Sequence, residues 1–231
     1  MKKNIAYNII IIIATFTYGV IVGKYEVFPY ELIVKIKHVV VAELHAPIIK
    51  PRVTQFSYFH PQREIVMIGD SITQGGIWSE IFPNVSIANR GVWGDTSADI
   101  LRRMDTIFNV NSSKAFIMLG YNDITNGLSV SEILVNYEEI IEKLRYKNTE
   151  VIIQSTLECS ITKCSEKLKK IRELNQKLES YANRNSLVFI NINKELSTED
   201  EGLLLSYTRD GVHLLGGGYS VWAASIAEYM K

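Results

Sequence analysis

Ser71, Asp210 and His213 are the residues on which nucleophilic chemistry can be built in this chain. Ser71 follows the unbroken apolar run Ile65-Val66-Met67-Ile68 through Gly69-Asp70. A serine at the carboxyl end of a buried parallel strand lies where open α/β sheets hold their ligands. Serine is equally a favoured helix N-cap, so its position alone leaves both roles open. Beyond residue 60 the sequence holds one histidine, His213. A serine with a histidine base must therefore use His213 or reach back to the N-terminal 60 residues. In Thr208-Arg209-Asp210-Gly211-Val212-His213 a carboxylate stands three residues ahead of the imidazole, with glycine between. On one tight turn it reaches Nδ1, fixes the tautomer and stabilises the imidazolium, leaving Nε2 to take a serine proton. Asp70 and Asp95 compete as carboxylates, but neither has a histidine at comparable spacing.

Acyl chemistry also needs donors for a developing oxyanion. Two further stretches follow strand-like runs. In Asn89-Arg90-Gly91 the glycine exposes its N–H without a side chain in the way, and in Gly120-Tyr121-Asn122-Asp123 the Asn122 amide can aim at the same point. Glycine and asparagine after a strand also mean simply a turn. Asp123 reads as a supporting residue. Gly75-Gly76 lacks the lysine and the spacing of a phosphate-binding loop. His38, His45, His60 and His213 form no cluster with metal-ligand spacing, so no metal or cofactor is expected. Cys159 and Cys164 fit neither redox nor zinc spacing; a disulfide and two free thiols both remain open.

The elements that must position these groups alternate from residue 64 onward. Strands are expected over Ile65–Gly69, Val85–Asn89, Ala115–Leu119, Glu150–Ser155 and Leu187–Asn191. Helices are expected near Ile77–Phe82, Thr96–Ile107, Val130–Tyr146, Ser165–Asn183 and Gly218–Met230. Strand, helix, strand at this spacing gives right-handed crossovers and a doubly wound, five-stranded parallel sheet, an α/β fold.

The chain from about residue 63 to its end resembles the SGNH (GDSL) hydrolases, in particular the esterases similar to platelet-activating-factor acetylhydrolase subunits. Gly69-Asp70-Ser71 resembles the nucleophile block, Gly91 and Asn122 match the family's oxyanion donors, and Asp210 and His213 match its D-x-x-H block. Ile72 stands where the family motif often has leucine. The resemblance implies a flavodoxin-like sheet, a Ser71–His213–Asp210 mechanism, and an oxyanion hole formed by Ser71, Gly91 and Asn122. It also implies hydrolysis of short acyl esters, often acetyl; a membrane-tethered, outward-facing domain would meet these on an envelope glycan or a lipid. The alternatives are a lysophospholipase or thioesterase, acyl transfer to a sugar hydroxyl, or a binding module that has kept the fold.

The 231 residues carry 25 Lys+Arg against 25 Asp+Glu, so no basic surplus points to nucleic acid. Residues 5–22 are uncharged and preceded by Lys2-Lys3. At about 1.5 Å per residue they span roughly 27 Å, close to a bilayer's hydrocarbon thickness. A membrane anchor over 1–23 is expected, with the N-terminus inside and the hydrolase domain periplasmic or extracellular. Residues 24–62 read as a connector: a helix after Pro29, then an extended linker marked by Pro47, Pro51 and Pro61.

Overall fold

The computed structural model describes residues 14–22, 24 and 50–231. The chain forms two units, Met1–Lys50 and Pro51–Lys231. In the first, residues 14–22 are helical. Among the described residues no helix is long and apolar enough to cross a membrane. The first half of the apolar stretch over 5–22, and the helix expected after Pro29, lie outside the described residues.

The second unit is built on five parallel strands: β1 (Ile65–Gly69), β2 (Ile87–Gly91), β3 (Lys114–Met118), β4 (Glu150–Gln154) and β5 (Val188–Ile190). Their order is β2-β1-β3-β4-β5, the flavodoxin-like arrangement. In β1, Gly69 pairs with Gly91 on one side and Met118 on the other. With a strand on each edge and helices over the faces, all of β1 is buried, which is why it reads as a continuous apolar run. The connections diverge between β1 and β3, so a crevice opens at the carboxyl ends of those two strands.

The helices are α1 (Pro51–Tyr58), α2 (Ser71–Gly75), α3 (Trp78–Ile81), α4 (Ser97–Arg102), α5 (Met104–Phe108), α6 (Tyr121–Thr125), α7 (Val130–Tyr146), α8 (Ile161–Arg184) and α9 (Gly216–Ile226). Helix α7 starts at a capping box between Ser129 and Glu132 and buries Ile133, Tyr137, Ile140, Ile141 and Leu144 along one stripe. Helix α8 buries Leu168, Ile171, Leu174, Leu178 and Ala182 in the same way. Each such leucine or isoleucine contributes about 1.5–3 kcal/mol through removal from water.

Several elements differ from the sequence reading. The folded unit starts at Pro51, ahead of the boundary at residue 63, because the expected extended linker is helix α1. Pro51 takes the first helical position, where a missing N–H costs nothing. Phe56 of α1 is buried beneath the Arg90 guanidinium, 4.2 Å from its ring centroid. The helix expected over Thr96–Ile107 is two helices, because Arg103 leaves helical geometry to turn its guanidinium inward. β2 begins two residues later than expected and ends on Gly91. A small antiparallel pair, β6 (Ser197–Thr198) and β7 (Gly202–Leu203), had no counterpart in the expectation. Cys159 and Cys164 form a disulfide.

Candidate active site

Ser71 is the first residue of α2, and the capping role that its type allowed belongs to Asp70, whose carboxylate accepts the Ile72 N–H at 2.9 Å. The turn is tightly packed. A Cβ on Gly69 would strike the Thr73 side chain and the Met118 carbonyl, so only glycine fits ahead of Asp70. Three donors tie the start of α2 to its surroundings. The Trp78 indole N–H donates to the Thr73 carbonyl at 2.9 Å, and the Tyr219 hydroxyl to the Ile72 carbonyl at 2.7 Å. The Asn89 amide reaches the carbonyls of Thr73, Gln74 and Gly76, each at 3.1 Å. Trp78, Tyr219 and Trp222 form an aromatic cluster that joins α3 to α9. Asn89 was not singled out from the sequence; a polar residue following the apolar start of a strand was its signal.

His213 and Asp210 lie on the loop ahead of α9. Ser71 Oγ is 3.0 Å from His213 Nε2, and His213 Nδ1 is 2.7 Å from Asp210 Oδ2. The other carboxylate oxygen, Asp210 Oδ1, accepts the Val212 N–H at 2.9 Å and the His213 N–H at 2.8 Å. Burial works to raise the Asp210 carboxyl, but hydrogen bonds from the His213 ring and from the His213 and Val212 N–H groups outweigh it. They hold it well below the usual carboxylate range, so Asp210 stays ionised beside the imidazole.

The two residues expected as oxyanion donors, Asn122 and Gly91, are placed differently from one another. Asn122, on α6 at the end of β3, has Nδ2 2.9 Å from the Asp95 carbonyl and 3.4 Å from Asp70 Oδ2. The second contact is long for an N–H···O bond, so one amide hydrogen is loosely held. Asp123 anchors this helix by accepting the Ser97 N–H at 2.9 Å and the Ser97 hydroxyl at 2.5 Å. Gly91 departs from its expected role. Its N–H is taken by Asn89 Oδ1 at 2.9 Å and its carbonyl by Arg52 Nε at 2.8 Å. A Cβ on Gly91 would collide with the Gln74 backbone, so this glycine lets β2 approach α2. Gly94 lies three residues on, at φ +70°, with open space where a Cβ would point. Its neighbours are held, Trp93 N–H by Gln74 Oε1 at 2.7 Å and Asp95 N–H by the Val92 carbonyl at 3.1 Å.

Asp70 is buried, and burial above all pushes its carboxyl up to about 7; the Ile72 N–H opposes this and the Asp123 charge reinforces it. Asp123 is pushed up to about 6, again mainly by burial. Between about pH 4 and 7 these two carboxyls keep protons in the folded chain that the unfolded chain has released, so the stability they contribute is fully present below about pH 4 and is lost as pH rises to about 7. Asp210 acts with the opposite sign, but its window lies below pH 4. Urea unfolding at pH 5 and 7.5 should show the wild type losing stability across that interval and Asp70→Asn losing distinctly less. Equal losses in the two proteins would place the proton elsewhere.

The chain belongs to the GDSL-like lipase/acylhydrolase family, which matches residues 67–221. This is the family that the resemblance in its motifs implied. Among solved structures it is similar to a GDSL-like lipase from Bacteroides thetaiotaomicron, 26% identical with a TM-score of 0.69, covering 77% of this chain and 94% of that one. It is also similar to a Streptococcus pneumonia protein provisionally assigned as a platelet activating factor, 27% identical with a TM-score of 0.71, covering 78% and 91%. Among curated proteins it matches N-acylneuraminate cytidylyltransferase of Streptococcus agalactiae, 27% identical over 155 residues, or 67% of this chain. The match spans 36% of that enzyme, so the chain covers about a third of the length of the curated relatives it matches.

Proposed function

We propose that this domain is a serine esterase that removes short acyl groups, acetyl foremost, from hydroxyls of envelope glycans. The observation that carries the reading is the continuous Ser71–His213–Asp210 hydrogen-bonded line at 3.0 and 2.7 Å. His213 Nε2 takes the Ser71 proton as Oγ attacks the ester carbonyl, and Asp210 stabilises the imidazolium. The Ser71 N–H, at the start of a helix and so without an intrahelical acceptor, faces the developing oxyanion. The Asn122 amide joins it, and Gly94 supplies the backbone donor in place of Gly91. His213 then protonates the leaving alkoxide, and water repeats the sequence on the acyl-serine. Kinship with an enzyme of N-acylneuraminate, a carboxylated sugar, supports a glycan alcohol as the leaving group.

Asn122→Ala should lower kcat by about 10²–10³ with a far smaller change in KM, because its donor acts on the transition state. A panel of p-nitrophenyl esters and O-acetylated sugars tests the substrate. Acetyl esters should be preferred. A preference for long acyl chains would shift the reading to a lysophospholipase or thioesterase. Failure of the folded protein to react with a fluorophosphonate would leave a non-catalytic binding module.

Residues 5–22 serve in this proposal as a membrane anchor that holds the domain outside the cytoplasm. The full chain should then stay in the membrane pellet after carbonate extraction, while a chain lacking residues 1–49 is released. Release of both would remove the anchor.

A further inference from the structure

We propose that the Cys159–Cys164 disulfide braces the Asp210–His213 turn against Ser71, so that hydrolysis requires the oxidised chain. The proposal rests on the reading of these three residues as the hydrolytic machinery. The disulfide closes a loop over 160–163, at the N-cap and first turn of α8, with its Cα atoms 6.2 Å apart. Helix α8 is interrupted at Cys164 (φ −149°, ψ 38°), so the turn Ile161–Lys163 is a separate piece tied back by the sulfurs.

That loop is clamped on two sides. Toward β7, the Leu203 N–H donates to the Cys159 carbonyl at 3.3 Å and the Ile161 N–H to the Glu201 carbonyl at 2.8 Å. Toward the active site, the Ser160 N–H donates to the Gly211 carbonyl at 2.8 Å. The contact at Gly211 leaves no gap. A Cβ there would strike Ser160 Oγ and stand 2.8 Å from Lys163 Cβ. From Gly211 the line continues inward: its N–H donates to Thr208 Oγ1 at 3.0 Å, and that hydroxyl donates to the His213 carbonyl at 2.7 Å.

The side chains of Asp210 and His213 are 50% and 47% exposed, so little packing holds them in place. Their position is set by the backbone of the turn, which is anchored in the core by Val212 and Leu214 and rests at Gly211 on the disulfide loop. A misplacement of about 1 Å at a reacting group can cost roughly 100-fold in rate. A loop this short removes little chain entropy, so opening it should disturb the site more than global stability. Ser160 and the disulfide are thus positioning residues. An enzyme built this way stays slow in a reducing compartment and becomes competent in an oxidising one.

The test uses the full chain in detergent, with and without a phosphine reductant. The S–S bond takes up two electrons and two protons to give two thiols. The phosphine becomes its oxide, with the oxygen and both protons supplied by water. Because both cysteines are buried, Cys159→Ala/Cys164→Ala provides a second route to the open loop. In both arms kcat for p-nitrophenyl acetate should fall about 10- to 100-fold, with KM changed less than about threefold, at a temperature well below the melting transition. Backbone hydrogen exchange should rise over 208–214 and stay protected in β1 and β3. Gly211→Ala, which keeps the disulfide and forces the contact apart, should lose kcat to a similar degree. Retention of kcat within about twofold in an opened chain that still melts cooperatively overturns the brace, as does unchanged exchange over 208–214. If the oxidised wild type hydrolyses no ester, the esterase reading fails, and the exchange experiment still decides the brace.

Discussion

Ser71→Ala should lower kcat for a short acyl ester by about 10⁴- to 10⁶-fold while leaving the fold intact. The substitution removes the atom that forms the acyl bond and, with it, the hydroxyl 3.0 Å from His213 Nε2. It spares the helix because the N-cap is Asp70, so α2 keeps its side-chain cap. Circular dichroism and the melting temperature should therefore match the wild type. His213→Ala should cost about as much, and the double variant little more than either single one, because nucleophile and base act as one unit. The same chain should lose labelling by a fluorophosphonate. Wild-type turnover by purified Ser71→Ala would sink the assignment.

Arg103→Met should produce the largest loss of stability. The Arg103 and Asp95 side chains are 5% and 1% exposed, with Nε and Oδ2 2.6 Å apart. Arg103 Nη2 also donates to the Arg90 carbonyl at 2.8 Å. Burial lowers the Arg103 pKa from its ordinary value, against the pull of Asp95. Methionine leaves the buried Asp95 carboxylate facing no guanidinium, a loss of about 3–5 kcal/mol. For a domain of this size that is roughly a 10 °C drop in Tm. Asp95→Asn on the Arg103→Met background should recover part of the loss, since removing both charges avoids the stranded one. Activity should fall as well, because the Asp95 carbonyl holds the Asn122 amide at 2.9 Å. A urea midpoint shift equivalent to less than about 1 kcal/mol would show that this pair does not hold the loop after β2.

The strands that are buried on both faces were the most legible part of the fold, because such burial leaves a continuous apolar run. Ile65–Gly69 was read with its observed bounds, and so was α7 over Val130–Tyr146. β2 was ended at Asn89 because Arg90 is charged and Gly91 suggests a turn, yet both lie in the sheet, with the Arg90 guanidinium bonded to the Thr106 carbonyl. Helices α2 and α6 are too short to show a period. Of the candidate site, Ser71, His213 and Asp210 could be proposed because one histidine follows residue 60, with an aspartate three residues ahead of it. That the Gly91 N–H is taken by Asn89 Oδ1 was hidden, because spacing carries no record of which N–H a neighbouring side chain has bonded. The pairing of the cysteines was equally hidden, since two thiols at this separation fit either redox state.

Ser71 lies near the start of the folded unit, and His213 is 142 residues further along the chain. During synthesis the serine turn and its strand therefore emerge well ahead of the imidazole. By the proposed mechanism a chain cut short before Thr208 would carry Ser71 as an inert alcohol. Esterase activity would then report that synthesis has passed His213. Copies clipped ahead of that turn would be silent toward esters, and an activity-based probe would count only chains that reach it.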